Sequence, residues 1–240
     1  MQAEQNFLIN SYIAHRGFHN KENPENTLGA FKRAIEHGYS IELDVQLLSD
    51  GNVVVIHDNK LSRLCGVDKY LSNCTYNDIK DLKILNSTFY IPTLKEVLDF
   101  VDGKTPLLIE IKNTLKVGEL ESKTYELLKN YSGEFAIQSF NPFSLQWFKI
   151  NAPNIIRGQL SSFFKGEDLS WFKKSLLKRL KLNKISSPHF ISYNAENLPN
   201  KYVKKTNLPV LAWCIKSQEE YMRVIKHCDN IIFENFEPEI

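Results

Sequence analysis

From Pro106 onward the sequence alternates between two periods, and this constrains the fold more than any other feature. Short apolar runs bounded by turn residues read as buried strands over residues 106–112, 135–140, 155–160, 190–193, 209–214 and 231–234. Between them, residues 142–150, 167–181, 196–204 and 218–227 carry apolar side chains at helical spacing. Ahead of this region, 7–14 and 41–46 read as two more strands, which brings the count to eight. Residues 52–57 are set apart as an antiparallel return. Eight strands mostly separated by helices are what an α/β (β/α)8 TIM barrel needs. An open doubly wound sheet is the runner-up, although no glycine-rich phosphate turn follows the first strand. A chain of 240 residues is an ordinary size for one barrel domain. The expectation is a single domain over 1–240, with residues 59–90 as a small insertion after the hairpin of the second strand.

Local signals agree with this order. Asn26 or Thr27 caps a helix whose apolar stripe is Leu28, Phe31, Ala34 and Ile35, and Gly38 closes it. Thr93 opens a further helix with Leu94, Val97, Leu98 and Val101 on one face. In SIELDVQLLSDGNVVVIHD, residues 40–58, the alternation through Gln46 is that of a strand, and Asp50-Gly51 supplies a tight turn. With Asp50 and Gly51 as its two central residues, Asp44 faces His57 across the hairpin, and Glu42 shares their face. Two carboxylates and an imidazole then meet in one patch. The alternative is a solvated face of an exposed hairpin.

In a barrel the active site lies at the C-terminal ends of the strands. His15, Glu42, Asp44, Glu110, Lys112 and Gln138 fall at or near such ends. Three clustered carboxylates repel one another, so they hold protons or recruit a cation, unless they serve as salt bridges closing the barrel mouth. Oxygen-only ligation selects a hard divalent ion, Mg²⁺ or Ca²⁺, over zinc. His15 and His57 titrate near neutrality and form an acid–base pair. Arg16 and Lys112 add fixed positive charge. An anion held by a metal, an Arg and a Lys is most simply a phosphate group. The composite argues for metal-assisted phosphodiester cleavage.

At these residues the chain closely resembles the glycerophosphodiester phosphodiesterase family. The matching segments are His15-Arg16-Gly17, Pro24-Glu25-Asn26-Thr27, Glu42-Leu43-Asp44-Val45, Val54-Val55-Ile56-His57-Asp58, Ile91-Pro92-Thr93-Leu94 and Ile109-Glu110-Ile111-Lys112, followed by Gln138-Ser139-Phe140 and Trp213. The resemblance implies a TIM barrel with Glu42, Asp44 and Glu110 as metal ligands, and His15 and His57 as general acid and base. It implies phosphate contacts from Arg16 and Lys112. Gln138 is a further candidate for a phosphate oxygen, and Trp213 for packing on the glycerol. The reaction implied has a glycerol hydroxyl attack phosphorus and expel the alcohol. Water then opens the cyclic phosphate to sn-glycerol 3-phosphate. The chain departs from the family at Trp213-Cys214-Ile215-Lys216 and at 232–238, on the side expected to meet glycerol or the leaving group. Two rival readings keep the site. One is a lysophospholipase D-like activity at a membrane surface, and the other is a barrel that binds a phosphorylated metabolite without turnover.

Composition narrows the partners. A net charge of +2 gives no case for nucleic acid. The cysteines at 65, 74, 214 and 228 lack metal-knuckle spacing and read as reduced thiols. No signal-peptide pattern and no 18-residue apolar span occurs, so a cytoplasmic location is the default, and no obligate protein partner is evident. Residues 163–181 resemble a basic amphipathic helix able to touch an anionic membrane. The competing expectation is an outer barrel helix that buries Leu169, Phe172, Leu176 and Leu180 and turns its lysines to water. His19, His37, His189 and His227 read as surface or helix-end residues.

Overall fold

Strand β2 (Ser40–Leu47) is buried along almost its whole length. That is what a strand needs when both faces of its sheet are covered. A computed structural model describes residues 7–113 and 116–239. The other strands are β1 (Ile13–Ala14), β3 (Val53–Val55), β4 (Leu107–Ile111), β5 (Phe135–Ser139), β6 (Arg157–Ser161), β7 (Phe190–Asn194), β8 (Val210–Ile215) and β9 (Asn230–Phe233). They hydrogen-bond in the order β1-β9-β8-β7-β6-β5-β4-β2-β3, and β1 also pairs with β2, which leaves β3 outside the ring. The pairs β2–β4, β5–β6, β6–β7, β7–β8 and β8–β9 are parallel, while β2–β3 is antiparallel. With helices in most of the crossovers, this is the (β/α)8 barrel expected from the alternation. Its contacts cluster into two compact units, residues 14–135 and the remainder.

Within residues 14–135 the helix caps follow the sequence. Thr27, not Asn26, is the N-cap of Leu28–Glu36, with its hydroxyl accepting from the Ala30 amide. Thr93 and Glu96 close a reciprocal capping box on Leu94–Val101. The insertion carries helical turns at Ser62–Cys65, Leu71–Asn73 and Tyr76–Ile79. Its Leu61, Leu64, Leu71, Ile79 and Ile84 share one apolar cluster with Leu48, Val54 and Ile56 of the hairpin.

Four local readings are corrected. Residues 7–14 are not one strand, because Phe7–Asn10 is a helical turn and only Ile13–Ala14 pairs. The Asn230 amide donates to the carbonyls of Leu8 and Ser11, which removes them from any ladder. The hairpin register is one residue off the expected one. Val45 opposes Val55 and Leu47 opposes Val53, so three residues, Ser49 to Gly51, make the connection. Gly51 takes φ 82°, the left-handed position of a three-residue hairpin loop. Residues 196–204 form two 3-10 turns instead of a helix, since Pro199 has no amide to donate and blocks helix propagation. The helix expected over 167–181 spans Trp171–Lys178, with Ser170 as its cap. Phe172 is exposed and Leu169 and Leu176 are only half-buried, so Leu180 alone of the expected stripe is buried. Among the described residues no helix is long and apolar enough to cross a membrane.

Candidate active site

The period of β2 sends Glu42, Asp44 and Gln46 to one face while Ile41, Leu43 and Val45 pack on the other. Parallel pairing sets Asp44 beside Glu110 on β4. All three carboxylates are buried, and their ligand oxygens lie within 4.8 Å of one another. Desolvation, reinforced by Asp44 and Glu110, pushes the Glu42 carboxyl well above the usual range. Glu110 is raised to about 6, because burial and Asp44 outweigh the relief from Lys112. Burial also acts on Asp44, but the charges of Lys112, His57, Arg16 and His15 overcome it and hold that carboxyl down at about 2. The cluster therefore holds protons unless a cation replaces them.

Two basic residues meet these acids. Arg16 sits in the left-handed region at φ 57°, donates its amide to Glu42 at 3.0 Å and pairs its guanidinium with Glu25 at 2.6 Å. Its Nε stands 3.4 Å from Asp44. Lys112 lies 3.3 Å from Glu110 and 3.7 Å from Asp44. Two buried atoms in this knot have no hydrogen-bond partner: Asp44 Oδ1 and Arg16 Nε. Each has an ion-pair contact that makes no hydrogen bond, Lys112 for Asp44 Oδ1 and Asp44 Oδ2 for Arg16 Nε, so both keep hydrogen-bonding capacity out of water that a ligand can complete. The first fits a cation and the second an anion.

Gly17 shows why this loop needs its sequence. At φ 79° a Cβ would meet Ala30 and Phe31 at 2.9 Å. Only glycine lets the His15-Arg16 turn lie against the helix Leu28–Glu36.

His57 reaches the cluster by a different route from the expected one. Asp44 lies opposite Ile56, whose amide donates to the Asp44 carbonyl. His57 therefore falls just beyond the ladder. The Gln46 amide holds it there by donating to the carbonyls of Ile56, His57 and Asp58 at 2.9, 2.9 and 3.1 Å. His57 Nδ1 is 2.9 Å from Asp58. Arg63 forks between Asp58 and Glu25, and its hydrogen bond is the largest influence holding the Asp58 carboxyl at about 2. An ionised carboxylate only accepts, so Nδ1 carries the hydrogen and Nε2 of the neutral ring keeps its lone pair. Burial, aided by Lys112 and Arg16, lowers the His57 pKa and favours that neutral form. His15 exerts its charge on the same Asp44.

The structure thus brings seven predicted residues together: His15, Arg16, Glu42, Asp44, His57, Glu110 and Lys112. Gln138 and Trp213 lie in the other unit. There Gln138 accepts from Ser192 at 2.7 Å, and Trp213 stands edge-on to Phe140. Asn26, Gln46 and Asp58 lie outside the set of site residues that the sequence predicts. Asn26 donates to Asp44 at 2.9 Å from a left-handed backbone. Gln46 was legible as the third member of the Glu42–Asp44 face. Asp58 gave no signal beyond adjacency to His57.

A model of the glycerophosphoryl diester phosphodiesterase family matches residues 15–235. The chain belongs to this family. It is an enzyme of the phosphoric diester hydrolase class. A glycerophosphodiester phosphodiesterase of Caldanaerobacter subterraneus subsp. tengcongensis is 34% identical over 225 residues, covering 89% of each chain. A human lysophospholipase D is 35% identical over 146 residues, 55% of this chain and 45% of that one. Among solved structures, the Oleispira antarctica phosphodiesterase in complex with the product sn-glycerol-3-phosphate shares the fold with TM-score 0.77 at 24% identity, covering 95% and 93% of the two chains. The Thermotoga maritima glycerophosphodiester phosphodiesterase superposes with TM-score 0.72 at 27% identity, covering 92% and 93%.

Proposed function

We propose that this enzyme hydrolyses water-soluble glycerophosphodiesters to sn-glycerol 3-phosphate and an alcohol, with Glu42, Asp44 and Glu110 holding one divalent cation, Mg²⁺ or Ca²⁺. Two buried atoms without hydrogen bonds carry this reading: Asp44 Oδ1 can take a cation, and Arg16 Nε an anion, beyond their present ion-pair contacts. Three acceptor-only carboxylates, no sulfur and no clustered imidazoles fit a hard ion. Bound there, such an ion would supply Lewis-acid polarisation of a phosphoryl oxygen.

The remaining roles belong to the chain. Arg16 and Lys112 hold the phosphate oxygens and neutralise charge that grows as the bond to phosphorus forms. His57 Nε2 takes the proton from the neighbouring glycerol hydroxyl, which attacks phosphorus. His15 gives a proton to the departing alcohol oxygen, and water opens the cyclic phosphate with the roles reversed. Asp58 keeps the hydrogen of His57 on Nδ1. For Gln138 and Trp213, roles at a phosphate oxygen and at the glycerol rest on the family resemblance alone. A cavity of about 520 Å³, lined by Gln46, Tyr70, Ser72, Lys112, Lys116 and Glu119, offers room beside Lys112 for the alcohol group. Four free cysteines support a cytoplasmic location. A lysophospholipase D-like activity is the second reading, favoured by the similarity over 146 residues to the human enzyme.

Purified protein is assayed for release of sn-glycerol 3-phosphate from glycerophosphocholine and choline from lysophosphatidylcholine, with EDTA and after Mg²⁺ or Ca²⁺ is restored. Cation-restored turnover of the soluble diester is expected. His15→Ala and His57→Ala are each expected to lower kcat by about 10²–10⁴-fold. EDTA-resistant activity, or near-normal turnover by the double variant, sinks the proposal.

A further inference from the structure

The segment between β6 and β7 is anchored at two places and apolar where it should not be. Phe164 is buried against Phe140, and Leu180 is buried at the far end. Ser161 and Tyr193 donate their hydroxyls to the carbonyls of Leu177 and Lys178, which fixes the C-terminal half of the helix Trp171–Lys178. Among the described residues no such tie reaches its N-terminal half. Trp171 is 79% exposed and Phe172 64%, and no residue of this helix is buried. Two adjacent large aromatics facing water on a helix that is otherwise fastened down are an unusual expense for a soluble surface.

The charge around them is one-sided. Over residues 165–181 the basic side chains are Lys165, Lys173, Lys174, Lys178, Arg179 and Lys181, against Glu167 and Asp168. The segment's +4 exceeds the +2 of the whole chain. Among the described residues none of these six cations takes part in an ion pair, unlike Arg16, Arg63 or Lys112 elsewhere. An aromatic pair flanked by unpaired lysines is complementary to one kind of surface, an anionic lipid bilayer. The rings enter the headgroup layer while the ammonium groups stay at the phosphates. The geometry points to residues 163–181 as a membrane-docking surface, reversible because one short helix carries it. This goes beyond the catalytic reading and does not depend on it.

The test is sedimentation of the full chain with vesicles of phosphatidylcholine, or of equal parts phosphatidylcholine and phosphatidylglycerol. Binding to the anionic vesicles alone is expected, weakening as salt rises. Trp171→Ser with Phe172→Ser should lower it at least about tenfold, since their rings supply the inserted apolar area. Lys173→Gln and Lys174→Gln should each lower it about fivefold. Vesicles should shift tryptophan emission to the blue, and Trp171→Phe should abolish that shift. Thermal melts that match the wild type report that these surface variants are folded, and keep a docking failure separate from a failure of the proposed catalysis. No binding at low salt, binding that ignores all four substitutions, or a dimer in solution that the aromatic substitutions dissolve into monomers would each overturn the proposal.

Discussion

In the proposed mechanism, Asp58 decides which nitrogen of His57 is available for chemistry. Its carboxylate is held ionised by the Arg63 fork, so it can only accept, and the imidazole must present a bare Nε2 elsewhere. Asp58→Asn leaves size unchanged and removes that preference. We expect kcat to fall about tenfold or more. Because Asp58 raises the His57 pKa, its loss should also move the acid limb of the kcat/KM profile to lower pH. A merely structural Asp58 would lower activity without moving that limb. The same carboxyl carries a stability signature. Its folded value of about 2 lies below the ordinary 3.8, so its contribution is present above about 3.8 and is lost as pH falls toward 2. Thermal melts of the wild type and Asp58→Asn should converge over that acid window and separate above it.

At the scale of elements, the turn His15-Arg16-Gly17 and the helix Leu28–Glu36 are fitted to each other. Gly17→Ala must place a Cβ at 2.9 Å from Ala30 in a left-handed backbone. A loss of about 1–3 kcal/mol is expected, seen as a lower midpoint in thermal unfolding, with activity reduced because Arg16 moves. Thr27→Ala removes the cap hydroxyl and should cost about 1 kcal/mol without altering the site. An unchanged midpoint in either variant contradicts the packing argued here. The caps and β2 were legible because their signals are local: Thr27 and Thr93 precede apolar stripes, and Glu42, Leu43 and Asp44 alternate. The hairpin register was not. Asp50-Gly51 fits both a two-residue and a three-residue loop, and the apolar fit of Val54 and Ile56 into the insertion's cluster accompanies the second. The exposure of Phe172 is not legible in the sequence, because its helical spacing holds whether or not anything covers it.

For the whole molecule, the proposed cation couples folding, protons and substrate. Glu110 titrates at about 6 and Glu42 well above the usual range when no cation is present. Raised carboxyl values mean the folded chain holds protons that the unfolded chain releases. The metal-free protein should therefore lose stability as pH rises from about 4.5 through 6, and added Mg²⁺ or Ca²⁺ should restore it. Thermal melts with EDTA and with cation should diverge over that window. Cation binding near pH 6 should release protons, measured by calorimetry in buffers of different ionisation enthalpy. Zero release would contradict these three carboxylates as the ligands.

The sequence by itself determined the alternation of eight strands with helices, the shared face of Glu42 and Asp44, and the family to which the motif order belongs. These follow from periods and short motifs that are written along the chain. Tertiary structure alone decided the register that sets Glu110 directly beside Asp44, the contacts of Asn26 with Asp44 and of Gln46 and Asp58 with His57, and the outward facing of Trp171 and Phe172. Strand pairing, hydrogen bonds across dozens of residues and burial depend on what the rest of the fold brings near, and no local period encodes them.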